Sequence, residues 1–370
     1  MSRLPKKTMK KEIICLILRA EKMKLHIFNP EHDIALAANL SNFTAPHAGR
    51  RLRHDLGYLP AIWAEGGYVL VEDIDDAQRG YSRLMHKTFD RFVDKHMLAH
   101  LDIDSVEPWG WDLALRSFLL RYGVDAVPSE KEISEIRDLS HRKHAVRLLG
   151  ELQGEGTVGR SWCLDSLYDV MGVLFEHRHL VLKAPWSSSG RGIRFVDNEI
   201  DQHLSSWVNK TIEHQGNIIA EKYNNKVKDF GMEFESDGEG GIRYLGLSLF
   251  NTQKGAYIGN ILATEEEKTE MISHYISSER LDSVKEKICI CLGPLYKGRY
   301  KGPFGVDLMI VRGNEDVNFL LNPCVEINLR RTMGHVAIEL SKHCHSGSVM
   351  NILYSENVYR MKVDFPSNSL

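Results

Sequence analysis

Leu180 to Val196, LVLKAPWSSSGRGIRFV, limits what this chain can fold into more than any other stretch. Two short apolar runs flank a loop of serines and glycines. Lys183 closes the first run, Arg191 lies in the loop, and the second run, Ile193-Arg194-Phe195-Val196, alternates like a strand. A GxxxxGK[ST] phosphate loop requires a helix after its glycines, and a dinucleotide fingerprint requires GxGxxG; neither pattern is present here. The segment therefore reads as strand, loop, strand. Lys183 can reach a phosphate from the strand end. Ser187, Ser188, Ser189, Gly190, Arg191 and Gly192 can wrap phosphate oxygens with N–H groups, hydroxyls and a guanidinium. Taken alone, the loop fits a plain hairpin with a polar tip equally well.

The rest of the chain gives this loop a setting. At 370 residues it is long enough for two or three subdomains, and 43% hydrophobic with 26% charged residues is an ordinary globular balance. A net charge of -3 gives no general attraction to nucleic acid or to an anionic membrane. The six cysteines, Cys15, Cys163, Cys289, Cys291, Cys324 and Cys344, lack zinc-like pairing and read as reduced and buried, which points to the cytoplasm. Residues 1–22 have a basic start and a short apolar run ending at Arg19, with no small-residue cleavage site. They read as a mobile upstream extension or a start assigned too early.

From Lys24 to about 135, strands (Lys24–Phe28, Tyr68–Glu72, Val124–Val127) alternate with helical patterns (from Glu31, Tyr81–His100, Asp112–Tyr122), as in an open α/β domain. A helix begins near Ser140, with Ala145, Leu148, Leu149 and Leu152 on one face. Strands and long loops then dominate: 180–184, 193–196, 217–221, 242–250, 305–311 and 317–327. Gly313-Asn314 makes the last two an antiparallel hairpin, and a helix over 334–342 follows.

Glu326 and Asn328 lie two apart on that last strand and share a face; the hairpin brings Asp307 opposite. Two carboxylates and an amide oxygen are hard ligands suited to Mg²⁺ shared with a polyphosphate. Apolar neighbours (Phe304, Val306, Leu308, Met309, Val325, Ile327) favour this over a solvated sheet face. Arg330 continues the alternation. The strand Asn217–Tyr223 ends in charge and can offer its backbone to an adenine edge, with Asp229 within reach of a ribose. A strand simply leaving the core explains it as well.

In this order, Lys183 with KAPWSSSGRGI, IIAEKY at 218–223, Asp307, and EINLR at 326–330 resemble the ATP-grasp superfamily. The last is similar to the ExNxR pattern of its biotin-carboxylase and carbamoyl-phosphate-synthetase branches. The resemblance covers about Ser140 to Lys342. It implies two α+β subdomains clamping ATP: a phosphate-flap subdomain at about 155–222 and a metal-binding one at about 223–350, within an ATP-grasp domain of 136–350. An open α/β pre-ATP-grasp domain at 23–135 precedes them, and a C-terminal segment, 351–370, follows.

The resemblance also implies roles. Lys183 would contact the α- and β-phosphates, and Lys143, or second Arg142, would match an earlier phosphate lysine. Glu221, Lys222 and Tyr223 would hold adenine and Asp229 the ribose. Asp307, Glu326 and Asn328 would bind Mg²⁺, and Arg330 would stabilise the acyl phosphate or tetrahedral intermediate. The implied activity is ATP- and Mg²⁺-dependent joining of a carboxylate to an amine or thiol. The alternatives are a small-molecule kinase and a non-catalytic nucleotide-binding module. Expected partners are small carboxylates and amines, with no nucleic acid and no membrane, and a homodimer is compatible with the sequence.

Other residues carry two readings each. Lys254 suits a γ-phosphate or acceptor contact, or a plain loop. Arg331 suits an anionic substrate or a solvated surface. Glu31 and Asp33, after the first strand, read as helix caps rather than substrate ligands. Trp109 and Trp111 read as core packing. His343-Cys344-His345 has the wrong spacing for a metal site on one helix face.

Overall fold

The computed structural model describes residues 23–187, 192–253, 256–313 and 318–365. The proposed extension 1–22, the flap tip Ser188–Arg191 and Lys254 lie outside the described residues.

The N-terminal unit is built on β1 (Lys24–Ile27), β2 (Tyr68–Leu70), β3 (Phe92–Val93) and β4 (Ser105–Pro108), all parallel in the order β3-β2-β1-β4. Its helices are α1 (His32–Ala38), α2 (His47–Leu56), α3 (Ile74–Met85) and α4 (Leu113–Arg121). The helix expected over 81–100 is instead α3, begun seven residues earlier with Asp73 capping Asp76 N–H. It stops where His86 adopts a left-handed φ of 54°. Phe92 and Val93 beyond it are apolar and pair with Val69 and Leu70. The strand expected at 124–127 is a loop.

Two helices follow where the sequence reading has one. α5 (Glu130–Leu139) opens on a capping box between Ser129 and Glu132, and α6 spans Lys143–Glu151. The break between them has a cause: the Trp186 indole donates to the Arg137 carbonyl at 3.0 Å, occupying an acceptor that a continuous helix would use. The turn at Ser140–Arg142 then delivers Arg142 to the centre of the molecule.

The next unit carries β5 (Ser161–Leu164), α7 (Leu167–His177), β6 (His179–Lys183), β7 (Ile193–Asp197), α8 (Gln202–Gln215) and β8 (Ile218–Lys222). Its antiparallel sheet runs β5-β8-β6-β7. Val170 and Leu174 of α7 and Val208 of α8 pack on Leu180, Leu182, Val196, Ile218 and Ala220. The strand–loop–strand reading of 180–196 is the β6–β7 hairpin, with Lys183 paired to Ile193.

The third unit holds β9 (Lys226–Ser236), β10 (Ile242–Ser248), β13 (Gly302–Arg312) and β14 (Phe319–Asn328) in the order β10-β9-β13-β14, all antiparallel. Period-two alternation divides β13. Phe304, Val306, Leu308 and Ile310 enter the main core, against α6 and against α10 (Ser278–Tyr296), while Gly305, Asp307 and Met309 face the other way. The remaining strands, β11 (Phe250–Gln253), β12 (Ala256–Leu262), β15 (Ser348–Ser355) and β16 (Val358–Asp364), form a fourth antiparallel sheet. α9 (Glu265–Ser273) and α11 (Met333–Ser341) complete the chain. The fourth sheet carries ordered chain past residue 350, and β16 packs on α2, where Tyr359 N–H donates to Asp55 at 2.8 Å.

The five described cysteines are unpaired, but only Cys324 is buried and Cys163 is exposed, so the expectation of burial holds at one position. Trp109 is buried edge-to-face against Phe28. Among the described residues no helix is long and apolar enough to cross a membrane.

The main core depends on Phe304, which is fully buried, stacked on Phe234 at 5.2 Å and edge-on to Tyr296 at 5.1 Å. Phe304→Ala should cost about 3–5 kcal/mol, read as a lowered urea midpoint. A midpoint shift worth less than about 1 kcal/mol would mean that this stack does not hold the third unit together.

Candidate active site

The site is set by register. In β13, Asp307 pairs with Gly231 of β9 on one side and with Glu326 of β14 on the other, and Gly305 pairs with Asn328. Directly paired residues share a face. Asp307, Glu326, Asn328 and Asp229 therefore stand on the face opposite the core. The ladder slips beyond Asp307, where Met309 meets Asn322 rather than Cys324. The slack lies at Asn322–Val325, which contains Pro323, a residue unable to donate to a regular ladder.

Three cations converge on this face, each held by a carboxylate. Lys183, buried at the end of β6, pairs with Glu221 at 2.7 Å and donates to the Val325 carbonyl at 3.3 Å, tying the second unit to the third. Arg142 donates to the Ala184 carbonyl at 2.6 Å, to Ser187 Oγ at 2.9 Å and to Glu326 at 2.6 Å. Arg330 grips Asp33 of the N-terminal unit with Nε at 2.9 Å and Nη2 at 2.8 Å, and donates to Asn328 Oδ1 at 3.1 Å. Asn328 in turn donates to Asp307 at 3.1 Å. Gly192 closes the foot of the flap. A Cβ there would lie 2.3 Å from Ser187, and its carbonyl accepts Ala184 N–H at 2.8 Å.

These carboxylates differ electrostatically. Burial, then the nearby Glu326 and Glu233, push Asp307 up to about 8, against the pull of Asn328 and Arg330. Burial also acts to raise Asp33, but the Arg330 guanidinium outweighs it and holds that carboxyl below its usual range.

Several expected residues sit elsewhere. The ammonium of Lys143, the expected phosphate contact, is tied to Asp138 and half exposed, because α6 begins there and turns it outward; the preceding Arg142 enters the cleft. The N–H groups of Lys222 and Tyr223 donate to the Arg160 and His179 carbonyls. Asp229 pairs with Lys226 at 2.6 Å. Arg331 is not a solvated charge. Its guanidinium lies 4.5 Å from the Trp63 ring centre, and burial pulls its pKa down. Glu31 and Asp33 make no side-chain cap on α1; the stronger partners Arg53 and Arg330 take them.

One residue was missed. Glu233, 2% exposed, shares the Asp307 face, accepts the Thr332 hydroxyl at 2.8 Å and lies 3.0 Å from His335 Nδ1. It rests on glycines: a Cβ on Gly305 or Gly334 would lie 2.6 Å or 1.9 Å from its oxygens. The signal was in the alternation of β9, where Phe230, Met232 and Phe234 point to the core and leave Glu233 facing the carboxylates.

Among the described residues no three His, Cys, Asp or Glu side chains converge into a ready-made metal site. The donor set nevertheless suits a hard divalent cation: two carboxylates and an amide oxygen share one face, where burial, then Glu326 and Glu233, hold Asp307 above the usual carboxylate range.

The fold comparison agrees with this geometry. The chain superposes on the biotin carboxylase of Campylobacter jejuni, solved as a β,γ-ATP complex, with a TM-score of 0.51 and 15% identity over 92% of this chain and 74% of that one. The chain has the ATP-grasp fold. The biotin carboxylase domain of Hydrogenobacter thermophilus 2-oxoglutarate carboxylase, a dimer with MgADP, ADP and bicarbonate, gives 0.50 and 14% over 90% and 74%. The ADP complex of N5-carboxyaminoimidazole synthetase from Staphylococcus aureus gives 0.49 and 14% over 90% and 83%. No family model matches the sequence, and no curated protein matches it.

The state of Asp307 can be read from stability. Folded, it keeps its proton to about pH 8, whereas unfolded it loses it near pH 4. The fold therefore binds more protons across that window, and this group costs stability as pH rises through it. Asp307→Asn should melt above wild type at pH 8 in EDTA, with the gap closing toward pH 4. A gap independent of pH in scanning calorimetry would refute the raised carboxyl.

Proposed function

We propose that this chain is an ATP- and Mg²⁺-dependent ligase that activates a carboxylate as an acyl phosphate for attack by an amine. The observation that carries the reading is the meeting of Lys183 and Arg142, at the foot of the flap, with Asp307, Glu326, Asn328 and Arg330 on the facing sheet. Phosphoryl transfer asks for positioning and charge neutralisation rather than a covalent nucleophile, and this is what the site offers.

In this reading Lys183 and Arg142 leave their carboxylates for the nucleotide phosphates. Ser188, Ser189, Gly190 and Arg191, between Ser187 and Gly192, would be further contacts to those phosphates. Glu221 and the strand end at Lys222 and Tyr223 flank the adenine, and Asp229 faces the ribose. Asp307, Glu326 and Asn328 would hold Mg²⁺, which when bound neutralises charge on the transferring phosphates. Arg330, kept in place by Asp33, stabilises negative charge on the acyl phosphate and on the tetrahedral intermediate. Lys254 is a candidate contact to the γ-phosphate or to the acceptor.

Amine-dependent ADP release, screened over carboxylates and amines with mass detection of the product, tests the activity. Asp307→Asn and Glu326→Gln should each lower turnover at least about 100-fold in folded protein. Lys183→Ala should weaken ATP binding about tenfold or more, as expected for loss of a charge-assisted contact. Full turnover in both carboxylate variants would remove the metal assignment. ADP release with a phosphorylated hydroxyl product would make the chain a kinase.

A further inference from the structure

The parallel sheet runs β3-β2-β1-β4, so the connections out of β1 and into β4 lie on opposite sides of β1. In open parallel sheets, ligands sit beyond the C-terminal strand ends at such a switch. Here those ends carry Asn29-Pro30-Glu31-His32-Asp33 and Trp109-Gly110-Trp111-Asp112. The two segments are joined by Asn29 Nδ2, which donates to the Gly110 carbonyl at 2.8 Å and to Asp112 at 3.2 Å.

His32 is 1% exposed, with Nδ1 3.3 Å from Asp112 Oδ2. Gly110 fits it closely: a Cβ there would lie 2.5 Å from the ring. Asp112 is buried and its Oδ1 accepts Leu115 N–H at 2.9 Å, capping α4. A hydrogen on Nδ1 satisfies the Asp112 carboxylate, and in that tautomer Nε2 carries the lone pair. His32 lines a narrow cleft with Arg142, Ser187, Glu326 and Asn328. The charged groups around it are Asp112, Asp33 with Arg330, and Glu326 with Arg142. Asp33 and Glu326, the carboxylates that line this cleft with His32, are each bound to an arginine, which leaves the imidazole as the proton acceptor there.

We propose that the acceptor amine is held at this switch point and that His32 is its catalytic base, with Asp112 as a positioning residue. The inference rests on the ligase reading above. The amine nitrogen attacks the acyl carbon of the acyl phosphate, forming the C–N bond. The C–O bond to phosphorus-bound oxygen breaks, inorganic phosphate leaves, and the proton shed by nitrogen passes to His32 Nε2.

Hydroxylamine separates the two halves of the reaction, because it captures acyl phosphates without a base. Wild-type protein and His32→Gln would be given ATP, Mg²⁺ and a panel of amino acids and short carboxylic acids. One arm receives hydroxylamine, the other ammonium chloride or amino-acid amines. His32→Gln should lower amide formation about 100-fold or more, and hydroxamate formation less than about fivefold. The acidic limb of the wild-type pH–rate profile for the amide should vanish in the variant. Asp112→Asn, which keeps an oxygen for the α4 cap, should lower amide formation in the same selective way. Amide formation within about fivefold of wild type in His32→Gln, or equal loss of amide and hydroxamate in both variants, overturns the proposal. Absence of hydroxamate from wild-type protein would instead sink the ligase reading, and this inference with it.

Discussion

Buried cations that reach from one structural unit to another set the geometry of this molecule. Arg330 of the third unit holds Asp33 of the first. Lys183 of the second reaches the Val325 carbonyl of the third, and Arg142 connects the foot of the flap to Glu326. Burying charge is costly unless the partner is present and well placed, and a buried pair is weak evidence for added stability. The arrangement makes better sense as registration. Each pair fixes one unit against another at the cleft, so the position of one side chain reports on the placement of a whole sheet.

The same pairs leave the cleft electrically balanced before any nucleotide arrives. On the ligase reading, incoming phosphates would draw Lys183 from Glu221 and Arg142 from Glu326, and Glu326 would then be open to a divalent cation beside Asp307 and Asn328. Asp307 is the exception. It lacks an arginine, and burial first, then the nearby Glu326 and Glu233, raise its pKa. Asp307 thus stands without a cation partner among the described residues, on the face it shares with Glu326 and Asn328.

Where a residue's placement follows from alternation along one strand, the sequence was sufficient. Asp307, Glu326 and Asn328 could be placed on one face from period two alone, and the β6–β7 hairpin from its apolar runs. Roles that depend on which distant partner a side chain meets were not readable. Asp33 lies in a first helical turn and reads as a cap, and only the folded chain brings Arg330 to it across 297 positions. Lys143 and Arg142 are adjacent, and the choice between them rests on the Trp186–Arg137 contact that breaks the helix before them. Glu233 was readable in principle from the alternation of β9, but the glycines that seat it come from β13 and α11.

The placement of β15 and β16 bears on how the chain reaches this state. Met350 and Met361 share a buried cluster with Phe28, Leu56, Val69 and Phe92, and Tyr359 is hydrogen-bonded to Asp55. The N-terminal unit therefore cannot cover its apolar face until residues near 361 are available. Contacts of such sequence separation close slowly. During synthesis the first unit to emerge would wait, partly exposed, for the last strands, and chaperone demand should fall on the first hundred residues rather than on the β10-β9-β13-β14 sheet.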